Sequence, residues 1–254
     1  ISLLDGIIPE IPTTEEEVEA LGCRVDAFAK SGRAEESKES VATLVAASTW
    51  SAEAAIHLAR GVGESESDRK LALERLEGIL MRAGRRETAV RVALWRLLMS
   101  LGDPRKAAEV LRPCVSAKVW TLPGEYYCRA LKAAGDYKEL LQYSEELGRN
   151  LGAASGPWEL VAQTLEELGD LKQGEELLRK VVAASPLLVK PYARLAALNF
   201  RSGNMPLAKE WFEKAVANVA RADVEDLINL ARLGAALEDK RAIDFAFRAR
   251  MLNP

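Results

Sequence analysis

The sequence predicts an all-α chain of stacked antiparallel helix pairs, and three observations carry that expectation. Small turns recur at Gly135-Asp136, Gly169-Asp170 and Gly203-Asn204, 34 residues apart each time, with Gly102-Asp103 lying 33 residues before the first. Apolar residues around these turns are spaced by three, four and seven, which is the helical period and not the strand period. Leu160, Val161 and Leu165 lead into Gly169, for example, and Leu177, Leu178, Val181 and Val182 follow it. Composition is the third observation. Ala, Leu, Glu, Arg and Lys, all strong helix formers, dominate, while aromatics make up only 6%, so a large sheet is not expected. A fixed period of this length marks a repeat architecture.

Taken in order, helices are predicted over 14–31, 34–47, 51–62, 67–83, 87–101, 104–117, 122–134, 136–149, 156–168, 171–184, 189–202, 205–220, 223–237 and 239–251. In each pair Gly ends the first helix because it tolerates positive φ. The Asp or Asn after it caps the second helix through a side-chain oxygen. Pro104, Pro123, Pro157, Pro191 and Pro206 stand at or near helix starts, where a missing N–H costs little. Pro186 follows a helix end, whereas Pro113 falls near the end of a predicted helix and predicts a kink or an early stop there. Gly32-Arg33 and the longer stretch from Gly63 to Ser67 supply the turns nearer the N-terminus. The result is a helical repeat domain over 14–254, with units starting near 18, 52, 88, 121, 155, 189 and 224, after a tail or linker at 1–13.

Residue by residue, several units resemble the tetratricopeptide (TPR) family, whose 34-residue pairs follow W-x2-L-G-x2-Y … A-x3-F … P. The fifth unit has Trp158, Val161, Ala162 and Leu165 at the first-helix positions, then Gly169-Asp170, and closes on Pro186. The sixth has Tyr192, Leu195 and Ala196, then Gly203-Asn204, then Ala208 and Phe212. The fourth carries Gly135-Asp136-Tyr137, and the seventh has Leu227, Leu230, Ala231, Ile243 and Phe247. Gly174 and Gly234 depart from the pattern. The match is close from about 88 to 254 and looser before that. A coiled coil is the rival fold, but no unbroken heptad run survives the regular Gly-Asp breaks.

The resemblance implies a right-handed superhelical solenoid whose first helices line a concave groove that grips an extended peptide or a partner helix. Mapped onto this chain, that groove takes in Arg96, Tyr126, Arg129, Lys132, Gln163, Lys190, Arg194, Arg201 and Arg232, with Met99, Glu125, Glu159, Glu166 and Asn229 among them. Two basic arcs result, Arg96, Arg129 and Lys132 in one and Lys190, Arg194, Arg201 and Arg232 in the other, separated by Glu159 and Glu166. One subset of the family binds the C-terminal carboxylate of heat-shock chaperones through five residues. Lys190 and Arg194 match its final Lys-x3-Arg pair, but Glu125, Arg129 and Leu160 stand where Lys, Asn and Asn are required. That clamp is not expected here.

Searching for chemistry yields no catalytic, cofactor-binding or metal-binding residues, and an enzyme is not expected. His57 is the one histidine, with no second His at ligand spacing and no nucleophile beside it, so it reads as structural, since a working base needs an oriented partner. Glu145-Glu146 and Glu166-Glu167 are adjacent in sequence and diverge by about 100° on a helix. Gly61-Val62-Gly63 lacks the lysine and the strand context of a phosphate loop. Cys23, Cys114 and Cys128 form no C-x-x-C pair and no disulfide framework. Cys114 and Cys128 fall at small-residue repeat positions and read as core fillers. Trp158 is a packing residue of the repeat, and Trp50, Trp95, Trp120 and Trp211 are read as packing alone.

Charge narrows the partner. A net charge of −3 and pI near 5.6 give no electropositive footprint for nucleic acid, which also disfavours an RNA-binding helical repeat. No stretch approaches the ~18–20 apolar residues of a membrane span. The expected role is a non-catalytic scaffold or adaptor for another protein carrying an acidic or amphipathic segment, to which Arg offers bidentate contacts. The alternative is a self-assembling homo-oligomer, because the chain stops at Leu252-Asn253-Pro254, where a repeat closes, and uncapped repeats expose an apolar end. Free cysteines point to a cytoplasmic setting. The start at Ile1 without Met suggests processing or truncation, which leaves an organelle interior open.

Overall fold

The computed structural model describes residues 14–31, 43–48, 51–61, 66–154 and 156–253. The tail at 1–13, the Gly32-Arg33 turn, the start of the helix expected over 34–47, Trp50 and most of the Gly63 to Ser67 turn lie outside the described residues. Among the described residues no strand occurs. The chain divides into two compact units, one of Ile1–Ser116 with Thr121–Asp136 and one of Ala117–Trp120 with Tyr137–Pro254.

The first unit holds α1 (Glu15–Ser31), α2 (43–47), α3 (Ala52–Gly61), α4 (Glu66–Leu80), α5 (Glu87–Ser100), α6 (Pro104–Leu111) and α7 (Leu122–Ala134). From α3 to α7 helices adjacent in sequence pack on one another, α1 packs on α3, and α3, α5 and α7 also pack side by side. This follows from the apolar stripes. Each pair has two sides to cover, one against its own partner helix and one against the next pair. Val18, Leu44, Leu58, Leu76 and Leu94 are fully or almost fully buried in one continuous core.

The second unit holds α8 (Tyr137–Leu151), α9 (Trp158–Glu167), α10 (Leu171–Ala184), α11 (Val189–Arg201), α12 (Met205–Ala217), α13 (Val224–Ala236) and α14 (Ala242–Leu252). Here α9 pairs with α10, α11 with α12 and α13 with α14, while α11 also packs on α10 and α13. Ala162, Leu195, Ala196, Ala208, Phe212 and Leu230 fill the joints and are shielded from solvent. At the start of this unit the Asn150 amide donates to the Ala117 carbonyl at 2.9 Å, tying residues 117–120 to α8.

The junctions explain the period. At the end of α9 the Gly169 N–H donates to the Glu166 carbonyl at 3.1 Å and the Asp170 N–H to the Leu165 carbonyl at 2.9 Å, the paired bonds of a Schellman ending. Gly169 has φ +77°, a left-handed value that costs other residues steric strain. The Asp170 carboxylate then accepts from the Gln173 N–H at 3.1 Å and starts α10. Gly102, Gly135 and Gly203 share the positive φ, and Asp103 and Asn204 make the same cap.

Pro113 acts as expected. α6 stops at Leu111, a 3-10 turn covers Arg112–Cys114, and Val115 is extended. Of the two departures from the repeat pattern, Gly234 has a steric reason. A Cβ there would lie 3.2 Å from both Ala242 Cβ and Phe212 Cζ, so glycine lets α14 settle closely on α13. At Gly174 the nearest atoms would be 3.7 Å away, and nothing in the structure requires glycine.

Gly169→Ala meets no neighbouring atom within 4 Å, so its cost is conformational alone. Urea unfolding is expected to show a loss of about 1 kcal/mol, with Gly169→Asn losing less because Asn tolerates the left-handed region. Equal stability of Gly169→Ala and the parent chain would count against the junction as a determinant of the pair.

Candidate partner-binding face

Two sets of first helices carry the candidate residues, and each belongs to its own unit. In the first unit Arg96 lies exposed on α5, while α7 carries Tyr126 and Lys132 half-buried and Arg129 exposed. Tyr126 stacks on Trp95 with ring centroids 4.1 Å apart and planes 10° off parallel, so Trp95 joins α5 to α7 on this face and does more than fill space. Arg129 pairs with Glu125 one turn back at 2.5 Å, an exposed contact of a class that contributes little to stability.

In the second unit α9, α11 and α13 are bridged by charge. Arg194 on α11 reaches Glu159 on α9 at 3.0 Å, Arg201 reaches Glu166 at 2.5 Å, and Lys190 reaches Glu225 on α13 at 2.9 Å. Each pair is 35 residues apart, at or one residue past the repeat, so charges on neighbouring first helices meet opposite charges. Lys190 also contacts Glu159 at 3.1 Å, and Arg194 lies 3.8 Å from Glu166. Lys190, Arg194 and Arg201 thus form a ladder interleaved with acids. Glu159 and Glu166, placed by sequence as separators of two basic arcs, are partners of the second arc. Gln163 and Arg232 are exposed on α9 and α13.

The ladder shifts the protonation of Glu159 and Lys190. Burial opposes the Glu159 carboxylate most strongly of any single influence, but hydrogen bonds and charge from Arg194 and Lys190 together outweigh it and hold the group below its usual range. Burial likewise works against the Lys190 ammonium, yet Glu225 and Glu159 raise it overall. Between α11 and α13 lies a hollow of about 360 Å³ lined by Lys190, Ala193, Arg194, Ala197, Asn229, Arg232 and Leu233. Another hollow, about 460 Å³, opens beside α8, α9 and α10, and its lining pairs Glu145 and Glu176 with Arg149 and Lys180, so it selects no ligand charge.

The remaining reactive side chains sit elsewhere. His57 is buried, 5% exposed, with Nε2 3.3 Å from a Glu53 oxygen, and Arg86 pairs with the same carboxylate. Cys128 is fully buried; burial foremost, with the Glu125 charge, pushes its thiol up to about 12, the opposite of an activated cysteine. Cys114 departs from its expected place in the core. Because Pro113 ends α6 early, Cys114 lies half-buried in the 3-10 turn, 3.9 Å from the Thr88 hydroxyl. Among the described residues no helix is long and apolar enough to cross a membrane.

Paired helices, left-handed glycine junctions and first helices bridged to the next by ion pairs define the architecture. The fold is tetratricopeptide-like. No family model matches the chain, and no curated protein matches its sequence. Solved structures similar to this TPR-like chain include MamA, at 14% identity over 61% of this chain and 91% of that one, with a TM-score of 0.47. PilW, described as a widely conserved type IV pilus biogenesis factor, is 17% identical over 82% of this chain and 93% of its own, with a TM-score of 0.47. BtubC from P. vanneervenii is 16% identical over 84% and 90%, with a TM-score of 0.49.

Glu159 generates a prediction with a definite sign. Its carboxyl is held below the ordinary value in the folded chain, so its contribution is complete above the ordinary carboxylate range. That contribution is lost as pH falls through the depressed value. Urea midpoints measured from neutral to acid pH are expected to fall less steeply for Glu159→Gln than for the parent chain. Parallel pH profiles would mean that the pairing of Glu159 contributes nothing to stability.

Proposed function

We propose that this chain is a non-catalytic protein-interaction scaffold that holds a segment of another protein along the face of its first helices. The observation that carries the reading is the ladder face of the second unit. Gln163, Arg201 and Arg232 are exposed on α9, α11 and α13, and Arg232 lines the open hollow between α11 and α13. The opposite sides of these helices are committed to the core through Val161, Leu195 and Leu230. Arg96, Tyr126, Arg129 and Lys132 give the first unit a comparable face on α5 and α7. Arg201, held by Glu166 yet more than half exposed, suits recognition of a peptide or helix, because little entropy is lost when an already ordered side chain is engaged.

The test is site-specific photo-crosslinking in cells, with the crosslinker at Gln163 on the first-helix face or at Lys172 on α10, both exposed, followed by mass spectrometry. Adducts with another protein from Gln163 and not from Lys172 are the expected result. Adducts from Lys172 alone would move the binding face to the second helices and overturn the assignment.

A second reading, self-assembly, is favoured by a different feature. On α14 Ile243, Phe247 and Met251 recur one turn apart and are 77%, 64% and 67% exposed, an apolar stripe of the kind that marks contact surfaces. If copies of the chain meet there, sedimentation over a dilution series is expected to show association that Phe247→Glu abolishes. A monomer at every concentration rejects this reading.

A further inference from the structure

The hollow between α11 and α13 is charged on one side only. Lys190, Arg194 and Arg232 supply its cations, Asn229 an amide, and Ala197 and Leu233 part of a small apolar floor, while no carboxylate lines it. The acids that face these cations lie outside. Glu159 and Glu166 hold Lys190 and Arg194 from α9, and Glu225 reaches Lys190 from the first turn of α13.

Two donors are left over. The Arg194 Nε is buried with no hydrogen-bond partner, an arrangement that costs free energy unless something accepts from it. Arg232 is exposed and makes no ion pair among the described residues. Glu225, by contrast, is held loosely. Its side chain is 64% exposed and its ion pair is with Lys190, a contact that water and salt screen.

We propose that this hollow receives one carboxylate side chain of an acidic peptide segment of a protein partner. Arg194, Arg232 and Asn229 are its donors, and Glu225 is the internal carboxylate that occupies Lys190 until the ligand displaces it. The proposal rests on the reading of the first-helix face as the partner-binding face and adds the chemistry of the ligand. At about 360 Å³ the hollow is at the small end of ligand-sized cavities, ~300–1,000 Å³, suited to one Asp or Glu side chain with its flanking backbone. Its floor of Ala197 and Leu233 favours small or aliphatic neighbours in the peptide.

The probe is an array of peptides capped at both ends and differing only by Glu or Gln at one central position, within varied small and aliphatic flanks, read with the full chain. Glu peptides are expected to bind about tenfold more tightly than their Gln counterparts, the worth of one charge-assisted hydrogen bond. Arg232→Gln is expected to erase that preference. Glu225→Gln removes the internal competitor and is expected to strengthen binding about threefold, as for loss of one exposed ion pair. Binding without a Glu preference, or a preference unchanged in both variants, overturns the pocket while leaving the face assignment standing. No binding by the parent chain and by Glu225→Gln alike also overturns it. In that case crosslinks from Gln163 to another protein still separate the face from the pocket.

Discussion

A helix pair of some thirty-four residues has too little interior to stand alone, and every other feature of this chain follows from having to share a core with the next pair. Phe212 of α12 shows how the sharing is done. It is 1% exposed, meets the edge of Phe245 on α14, and would touch any Cβ at Gly234 on α13. One side chain thus joins two successive pairs, and losing it would open a cavity of the kind that costs about 3–5 kcal/mol. Small residues do the complementary work. Ala162, Ala196 and Ala208 are wholly buried because backbones must come close for those large side chains to reach across.

The same sharing governs the polar face. Residues about one repeat apart on successive first helices stand side by side, so a charge on one is answered by a charge on the next. Glu159 meets Arg194, Glu166 meets Arg201, and Lys190 meets Glu225. This arrangement fixes long side chains in place and lowers the net charge of the face, leaving Arg232 and the buried Arg194 Nε as surplus donors. The character of such a face depends less on how many cations it has than on which remain unanswered.

The helices were legible because their determinants are local. The ends of α9, α10, α11 and α12 depend on Gly169, Asp170, Gly203 and Asn204, whose effects act within one turn, and Pro113 stopped α6 for the same reason. The placement of Cys114 was not legible, since a small residue at a repeat position reads as core until the helix before it is known to end. The Trp95–Tyr126 stack was also hidden, because it joins two helices through a pairing that no repeat position specifies.

The candidate face divides along the same line. Sequence by itself determined the helix pairs, their period and the identity of the charged residues on the first helices, because periodicity and capping are encoded within a few neighbours. Only the tertiary structure decided which of those charges are already spent. Whether Lys190 and Arg194 face solvent or the carboxylates of α9 and α13 depends on how closely successive pairs approach, and that distance is set by the packing of the core beneath them.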